Sequence, residues 1–263
     1  MIAKLKPNLR KYSCKYREVS NDTNTPWRIF QDEAIIDWTP RGIVAECHVA
    51  LTIPKTIQKD AFPLVQVPYR SARVESDPLN RKPSVLILGL DSISRMNFKR
   101  SMPKTAEFVK QEGWYEMEGY NKMGDIAFSN LCAILGGSKS HIVCEQRFPL
   151  IWKAFKDAGY TTAFGEDSVE LSVPPGLRTD YQLRTLLEDI GESMASVTRF
   201  GMKFCLGRRL SFSYLYDFCM QFAQRLIEDL DQPAFGVFWS STFTNDYRQG
   251  PTSLDENLWS IFG

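Results

Sequence analysis

Ser84-Val85-Leu86-Ile87-Leu88-Gly89-Leu90-Asp91-Ser92 decides how this chain is read. A short, continuous apolar run that ends abruptly in an aspartate is the pattern of a strand buried on both faces in a parallel sheet. Downstream the pattern repeats with helices between. Met102, Ala106 and Val109 recur at helical spacing, with Pro103 suited to a first turn and Gly113 to the end. Tyr115 to Tyr120 reads as a strand, and Phe128 to Leu135 as a short helix stopped by Gly136-Gly137. Phe148, Ile151, Trp152 and Phe155 make one helical face, ended at Gly159, before a strand over Tyr160 to Gly165. Leu215, Cys219, Phe222, Leu226 and Leu230 mark the longest amphipathic helix, and Ala234 to Trp239 another buried strand. Residues 168–211 read as loop with some helix. Such alternation predicts an α/β fold, a mostly parallel sheet with helices on both faces.

Upstream, residues 1–80 are polar and irregular, broken by Pro26, Pro54, Pro63, Pro68 and Pro78. Gly42 to Val49 partly alternates apolar and polar residues, so this segment reads as small and β-rich or extended. The division is therefore 1–80 and 81–263. Cys47 and His48 are adjacent and face opposite sides of a strand, which argues against a catalytic pair. Cys47 reads as a structural cysteine, with Cys14 its candidate partner. The chain has six cysteines and no C-x-x-C, against a zinc ribbon or thioredoxin-like site. Cys132 reads as core.

Composition excludes whole classes of function. With 32 basic and 31 acidic residues the formal charge is +1, which gives no electrostatic case for nucleic acid. Hydrophobic residues at 43% are those of a globular chain, and no apolar run approaches the roughly 18–20 residues of a membrane span. The opening Met-Ile-Ala-Lys-Leu-Lys-Pro is polar and basic, with no signal-peptide pattern. Asn21-Asp22-Thr23 is a candidate glycosylation acceptor at Asn21. His48 and His141 are the only histidines, and His141 reads as a solvated loop residue.

Ligands of open parallel sheets bind beyond the carboxyl ends of the strands. The residues just past the expected strands are Asp91-Ser92, Gly124-Asp125, Glu166-Asp167, and Ser240-Ser241-Thr242 with Asp246 slightly beyond. Carboxylates gathered on one rim repel unless a cation holds them, which points to a divalent metal on Asp91, Asp125 and Asp246. The competing reading is that such residues merely cap helices and turns.

Pro83 through Phe98, with Arg100-Ser101-Met102-Pro103-Lys104-Thr105, resembles the opening motif of the animal domain-of-unknown-function-229 family, a sulfatase-like branch of the alkaline phosphatase superfamily. Gly119-Tyr120-Asn121-Lys122, Gly124-Asp125, Trp152-Lys153-Ala154-Phe155, Ala158-Gly159-Tyr160 through Glu166-Asp167, and Phe235 through Ser241 support the resemblance. It implies a zinc- or calcium-dependent hydrolase of sulfate or phosphate esters in the secretory pathway or outside the cell, acting on an anionic ester or glycan. Asp91 would bind metal, Asn130 would approach the anion, and Arg95 would either approach the anion or pair with a nearby carboxylate. The nucleophile would sit at a helix N-terminus, where N–H groups steady an anion.

Three departures bear on activity. Where the family shows Asp-Asn-Thr-Phe-Pro-Asn, this chain has Asp125-Ile126-Ala127-Phe128-Ser129-Asn130. The nucleophile position is thus Ala127, with Ser129 a weak alternative. Thr244-Asn245-Asp246 replaces Thr-His-Asp, and Gly263 precedes the expected Asp-His-Gly segment. The resemblance therefore implies a truncated or degenerate member, a pseudoenzyme, against an active hydrolase with a replacement nucleophile.

Overall fold

Every residue of Ala234–Ser240 is buried, and the rest of the fold is arranged around that strand. The structure is a computed structural model and describes residues 12–19, 25–49, 55–67, 81–125, 127–137, 150–168, 178–199, 202–243 and 250–262. In chain order, β1 (Tyr12–Val19), β2 (Arg28–Phe30), β3 (Gly42–Val49) and β4 (Lys55–Pro63) form an antiparallel sheet of order β2-β1-β3-β4. Next come β5 (Val85–Leu90), α1 (Arg95–Ser101), α2 (Pro103–Phe108), α3 (Ala127–Gly136), α4 (Leu150–Asp157), β6 (Thr161–Glu166) and β7 (Tyr181–Gln182). After α5 (Arg184–Ser193), strands β8 (Ser196–Arg199), β9 (Met202–Leu206) and β10 (Arg209–Leu210) make a small antiparallel sheet. The chain closes with α6 (Ser211–Phe222), which runs on as a π-helical turn (Ala223–Asp229), then β11 (Ala234–Ser240) and α7 (Gly250–Phe262).

The second four-stranded sheet is parallel throughout, in the order β5-β11-β6-β7. Its central strand β11 sends Phe235, Val237 and Trp239 to one face, where α3 and α4 cover them with Leu131, Leu135 and Trp152. Ala234 and Phe238 go to the other, against Leu215, Phe218, Phe222 and Leu226 of α6 and its π-turn. Glycines permit this close approach. A Cβ on Gly89 would lie 2.0 Å from the Trp239 ring, and one on Gly165 would lie 2.9 Å from Leu215. The mixed α/β architecture with a largely parallel sheet and a β-rich N-terminal region is thus as expected.

The antiparallel sheet is two-sided. On one face Tyr16, Phe30, Ile36, Ile43 and Leu64 make a small core, with Cys14 and Cys47 directly opposite each other and joined by a disulfide. On the other, Val19, Val44 and Ala61 join the main core beside Leu186 and Ile190 of α5. The core is therefore continuous from the N-terminal sheet into the α/β part, and the Arg17–Asp189 ion pair crosses the same junction. Among the described residues, no helix is long and apolar enough to cross a membrane.

Three local readings need correction. β5 is not buried on both faces: it ends the strand order, and Val85 and Leu86 stay 36% and 39% exposed. Tyr115 to Tyr120 forms no strand; it is irregular and exposed, and among the described residues no strand pairs with it. Residues 181–210 hold α5 and four short strands, each too brief to show a periodicity. Cys132 is core, as expected, and is also disulfide-bonded. His141 and Phe148 lie outside the described residues.

Candidate functional site at the carboxyl edge of the parallel sheet

Parallel strands end together, so the segments leaving β5, β6 and β11 meet on one edge. The Asp91 N–H donates to the carbonyl of Ser240 at 2.9 Å, tying the end of β5 to the end of β11. Ser92 then turns the chain with a left-handed φ of 55°, and Ser94 caps α1 by accepting from the Asn97 N–H at 3.2 Å. The Ser92 hydroxyl donates to Asp91 Oδ2 at 3.1 Å, and Ser92 is that carboxylate's one hydrogen-bond partner among the described residues. Burial raises the Asp91 carboxyl above the usual aspartate range, and its bonds from Ser92 oppose the rise.

Glu166 and Asp167 close β6, each only 3% exposed. As neighbours near the end of a strand they project to opposite faces, and their fates differ. Asp167 is fully engaged. Its Oδ2 accepts from the Ser240 hydroxyl at 2.5 Å, and its Oδ1 from the N–H groups of Ser241 at 2.9 Å and Thr242 at 3.3 Å. Burial raises this carboxyl too, against those bonds. Asp167 is a staple that fixes the loop after β11 to the end of β6.

Glu166 has no such partner. Its Oε1 is buried without a hydrogen bond, and so is the indole Nε1 of Trp239, the residue opposite it in the strand register. Burial pushes the Glu166 carboxyl up to about 8; the charge of Arg184 opposes this and that of Asp167 adds to it. With no cation beside it, a carboxyl raised this far is predominantly the neutral acid at neutral pH and can donate a hydrogen bond.

The other expected site residues are placed elsewhere or are already occupied. The Asp125 side chain is 92% exposed and pairs with Lys122 at 2.5 Å, which holds its carboxyl below the usual range. Asn130 braces the preceding turn: its Oδ1 accepts from the N–H of Met123 at 2.8 Å, and its Nδ2 donates to the carbonyl of Gly124 at 3.0 Å. Ser129 sits so close to Gly124 that a Cβ there would lie 2.8 Å from its own. Arg95 is exposed and ion-paired with Glu116, which also draws Lys99 at 3.6 Å. Ala127 is the first residue of α3. Asp246 and Asn21 lie outside the described residues.

A divalent metal would need several open carboxylate or imidazole groups converging on one point. Among the described residues no three histidine, cysteine, aspartate or glutamate side chains do so. Among the described rim residues Asp91 alone keeps a carboxylate largely open, because donors fill Asp167 and Lys122 pairs with Asp125. The described donor set does not by itself make a metal centre.

The sequence singled out Glu166-Asp167 and Ser240-Ser241-Thr242 as strand-end residues but did not pair them. Their pairing depends on β6 and β11 being adjacent and in register, which neither segment encodes alone. His48, set against Cys47 as a catalytic partner, instead lies within 3.2 Å of both Glu46 and Thr56, while Cys47 is in the disulfide.

Fold and edge together define an α/β protein with an open parallel sheet and an acidic carboxyl rim. The family described as "Protein of unknown function (DUF229)" matches residues 1–263, and the chain belongs to it. No curated protein and no solved structure matches the chain.

Proposed function

We propose that this chain is a non-catalytic relative of metal-dependent sulfate- and phosphate-ester hydrolases, a hydrolase-like fold that has lost its chemistry. The observation that carries the reading is that α3 opens on Ala127, the position where the sulfatase-like resemblance requires the attacking hydroxyl. A methyl group has neither a lone pair to attack with nor a proton to give up. The donor set of the described rim residues supports the same reading, since one open carboxylate at Asp91 would leave a divalent ion mostly hydrated. Ser129 is a poor substitute, packed as it is against Gly124.

The ligand class that goes with this reading is an anionic ester at the amino end of α3, bound without turnover. The Cys14–Cys47 disulfide and the disulfide-bonded Cys132 support an oxidising setting, in the secretory pathway or outside the cell.

The test is hydrolysis of p-nitrophenyl sulfate and p-nitrophenyl phosphate with added zinc, calcium or magnesium, by the parent chain, Asp91→Ala and Ala127→Thr. The expected outcome is no rate above buffer from any of the three. A metal-dependent rate in the parent that disappears in Asp91→Ala overturns the proposal and restores an active hydrolase.

A further inference from the structure

At the other end of the parallel sheet, where β6 and β7 begin, lies a cleft of about 480 Å³. Thr161 and Tyr181 bring the strand starts to it, Trp38 and Gln66 come from the N-terminal region, and Leu226 and Gln232 from the π-turn and the loop after it. It is far from the acidic rim: the six residues of β6 from Thr161 to Glu166 span roughly 16 Å. The volume lies within the range of small-molecule sites, about 300–1,000 Å³.

The lining has three properties that together select a ligand. First, among the described residues the lining has no Lys, Arg or His, and the one charge it carries is the carboxylate of Asp180. That carboxylate is held in place by Lys156 at 2.6 Å and by the N–H and hydroxyl of Thr162 at 3.0 and 2.8 Å. Its pKa is lowered: those bonds outweigh the desolvation that would raise it, so it stays an acceptor. An anionic ligand meets no counter-charge here, and a cation would have to compete with Lys156.

Second, the cleft carries unused hydrogen-bonding capacity of the planar and hydroxyl kind. Among the described residues the Gln232 amide and the Thr39 and Thr161 hydroxyls, all in the lining, make no side-chain hydrogen bond. Gln66 donates through Nε2 to the Asp37 carbonyl at 3.0 Å, leaving Oε1 open, and its own carbonyl accepts from the Tyr181 hydroxyl at 2.9 Å. These bonds fix the wall rather than fill the cleft. Third, the apolar part is a half-exposed indole: Trp38 is 55% exposed beside the buried Leu226. A tryptophan offers a broad, rigid apolar face with little conformational entropy to lose.

Neutral, rich in hydroxyls and apolar on one ring face is the description of a pyranose. Its C–H face suits an indole, and its hydroxyls suit amides, threonines and a fixed carboxylate. We propose that the cleft between Trp38, Asp180 and Gln232 binds a neutral saccharide, at a site separate from the acidic rim and independent of whether the rim is catalytic.

The experiment uses the full chain and named probes: glucose, galactose, mannose and N-acetylglucosamine, with their β1,4-linked disaccharides, titrated to millimolar concentrations. Binding is followed by tryptophan fluorescence and by saturation transfer from protein to sugar. The expected result is saturable binding of at least one probe, weakened about tenfold or more in Trp38→Ala and in Gln232→Ala. Both variants are expected to keep the parent melting temperature, because Trp38 is half-exposed and Gln232 makes no side-chain bond among the described residues. Glucose 6-phosphate is the charge control and is expected to bind more weakly than glucose. The proposal is overturned if no probe saturates, if both variants bind as the parent does, or if the phosphate ester binds more tightly and both variants abolish that binding.

Discussion

β5 and β11 are adjacent, almost wholly apolar strands, Val-Leu-Ile-Leu-Gly-Leu and Ala-Phe-Gly-Val-Phe-Trp-Ser, yet they live in different surroundings. All of β11 is buried; of β5 only Gly89 is, and its first two residues are more than a third exposed. β11 has a strand on each side and a helix layer on each face, while β5 ends the strand order. Their ends differ in the same way. The loop after β11 is fastened through three donors to Asp167, whereas Asp91 after β5 is bonded by its neighbour Ser92. Sheet position, rather than local hydrophobicity, separates a core strand from an accessible one, and a rim staple from an open carboxylate.

Truncation is the largest test of that difference. Phe238→Ala on β11 removes a fully buried ring that packs on Phe218 and Phe222, with centroids 5.8 and 5.9 Å away. The expected loss is about 3–5 kcal/mol, measured by urea unfolding. Leu86→Ala on β5 is expected to cost only about 1 kcal/mol, because much of that side chain already meets water. Equal losses would mean that β5 is as enclosed as β11, and the comparison would fail.

Next in size is the buried acid beside β11. The folded-state pKa of Glu166 is raised from the ordinary 4.5 to about 8. Below pH 4.5 both folded and unfolded chains hold the proton, and the group has no pH-dependent effect. As pH rises toward 8 the unfolded chain releases the proton and the folded chain does not, so stability falls. At pH 7 that loss is about 3 kcal/mol. Glu166→Gln cannot ionise, so its stability minus the parent's is expected to climb between pH 4.5 and 8 and then level. Parallel stability–pH curves for the two proteins would show that Glu166 ionises normally and belongs with Asp91 as an open carboxylate.

A feature was legible in the sequence to the extent that it depends on its own segment alone. The segments 84–90, 160–165 and 234–239 read as strands from their own residues, the first and last because a strand covered on its faces must be apolar there. Their order in the sheet did not show there, since β5 and β11 look alike until neighbours are assigned. Tyr115-Glu116-Met117-Glu118 alternates as a half-buried strand should, but among the described residues no strand pairs it, and Tyr115 and Met117 end 95% and 81% exposed. At the site, position after a strand was enough to pick out Asp91, Glu166 and Asp167. Which of them would be filled, protonated or open was not readable, because it rests on backbone N–H groups of Ser241 and Thr242 arriving from 74 and 75 residues away.

The smallest effect probes the exposed strand directly. Natural edge strands are kept from pairing with other chains by charges, prolines or bulges. β5 carries none of these over its six residues. Val85, at its outer end and 36% exposed, is the position where a charge would meet water with least disturbance. Val85→Lys is expected to change unfolding free energy by no more than about 0.5 kcal/mol, since it removes little buried area. It is also expected to lower light scattering by concentrated protein, as edge lysines do when they block strand-to-strand association. The corresponding Val237→Lys on β11 would bury an unpaired ammonium and is expected to prevent folding. A substantial loss in Val85→Lys, approaching that of a core substitution, would mean that this edge is covered, and that β5 and β11 differ less than their exposures indicate.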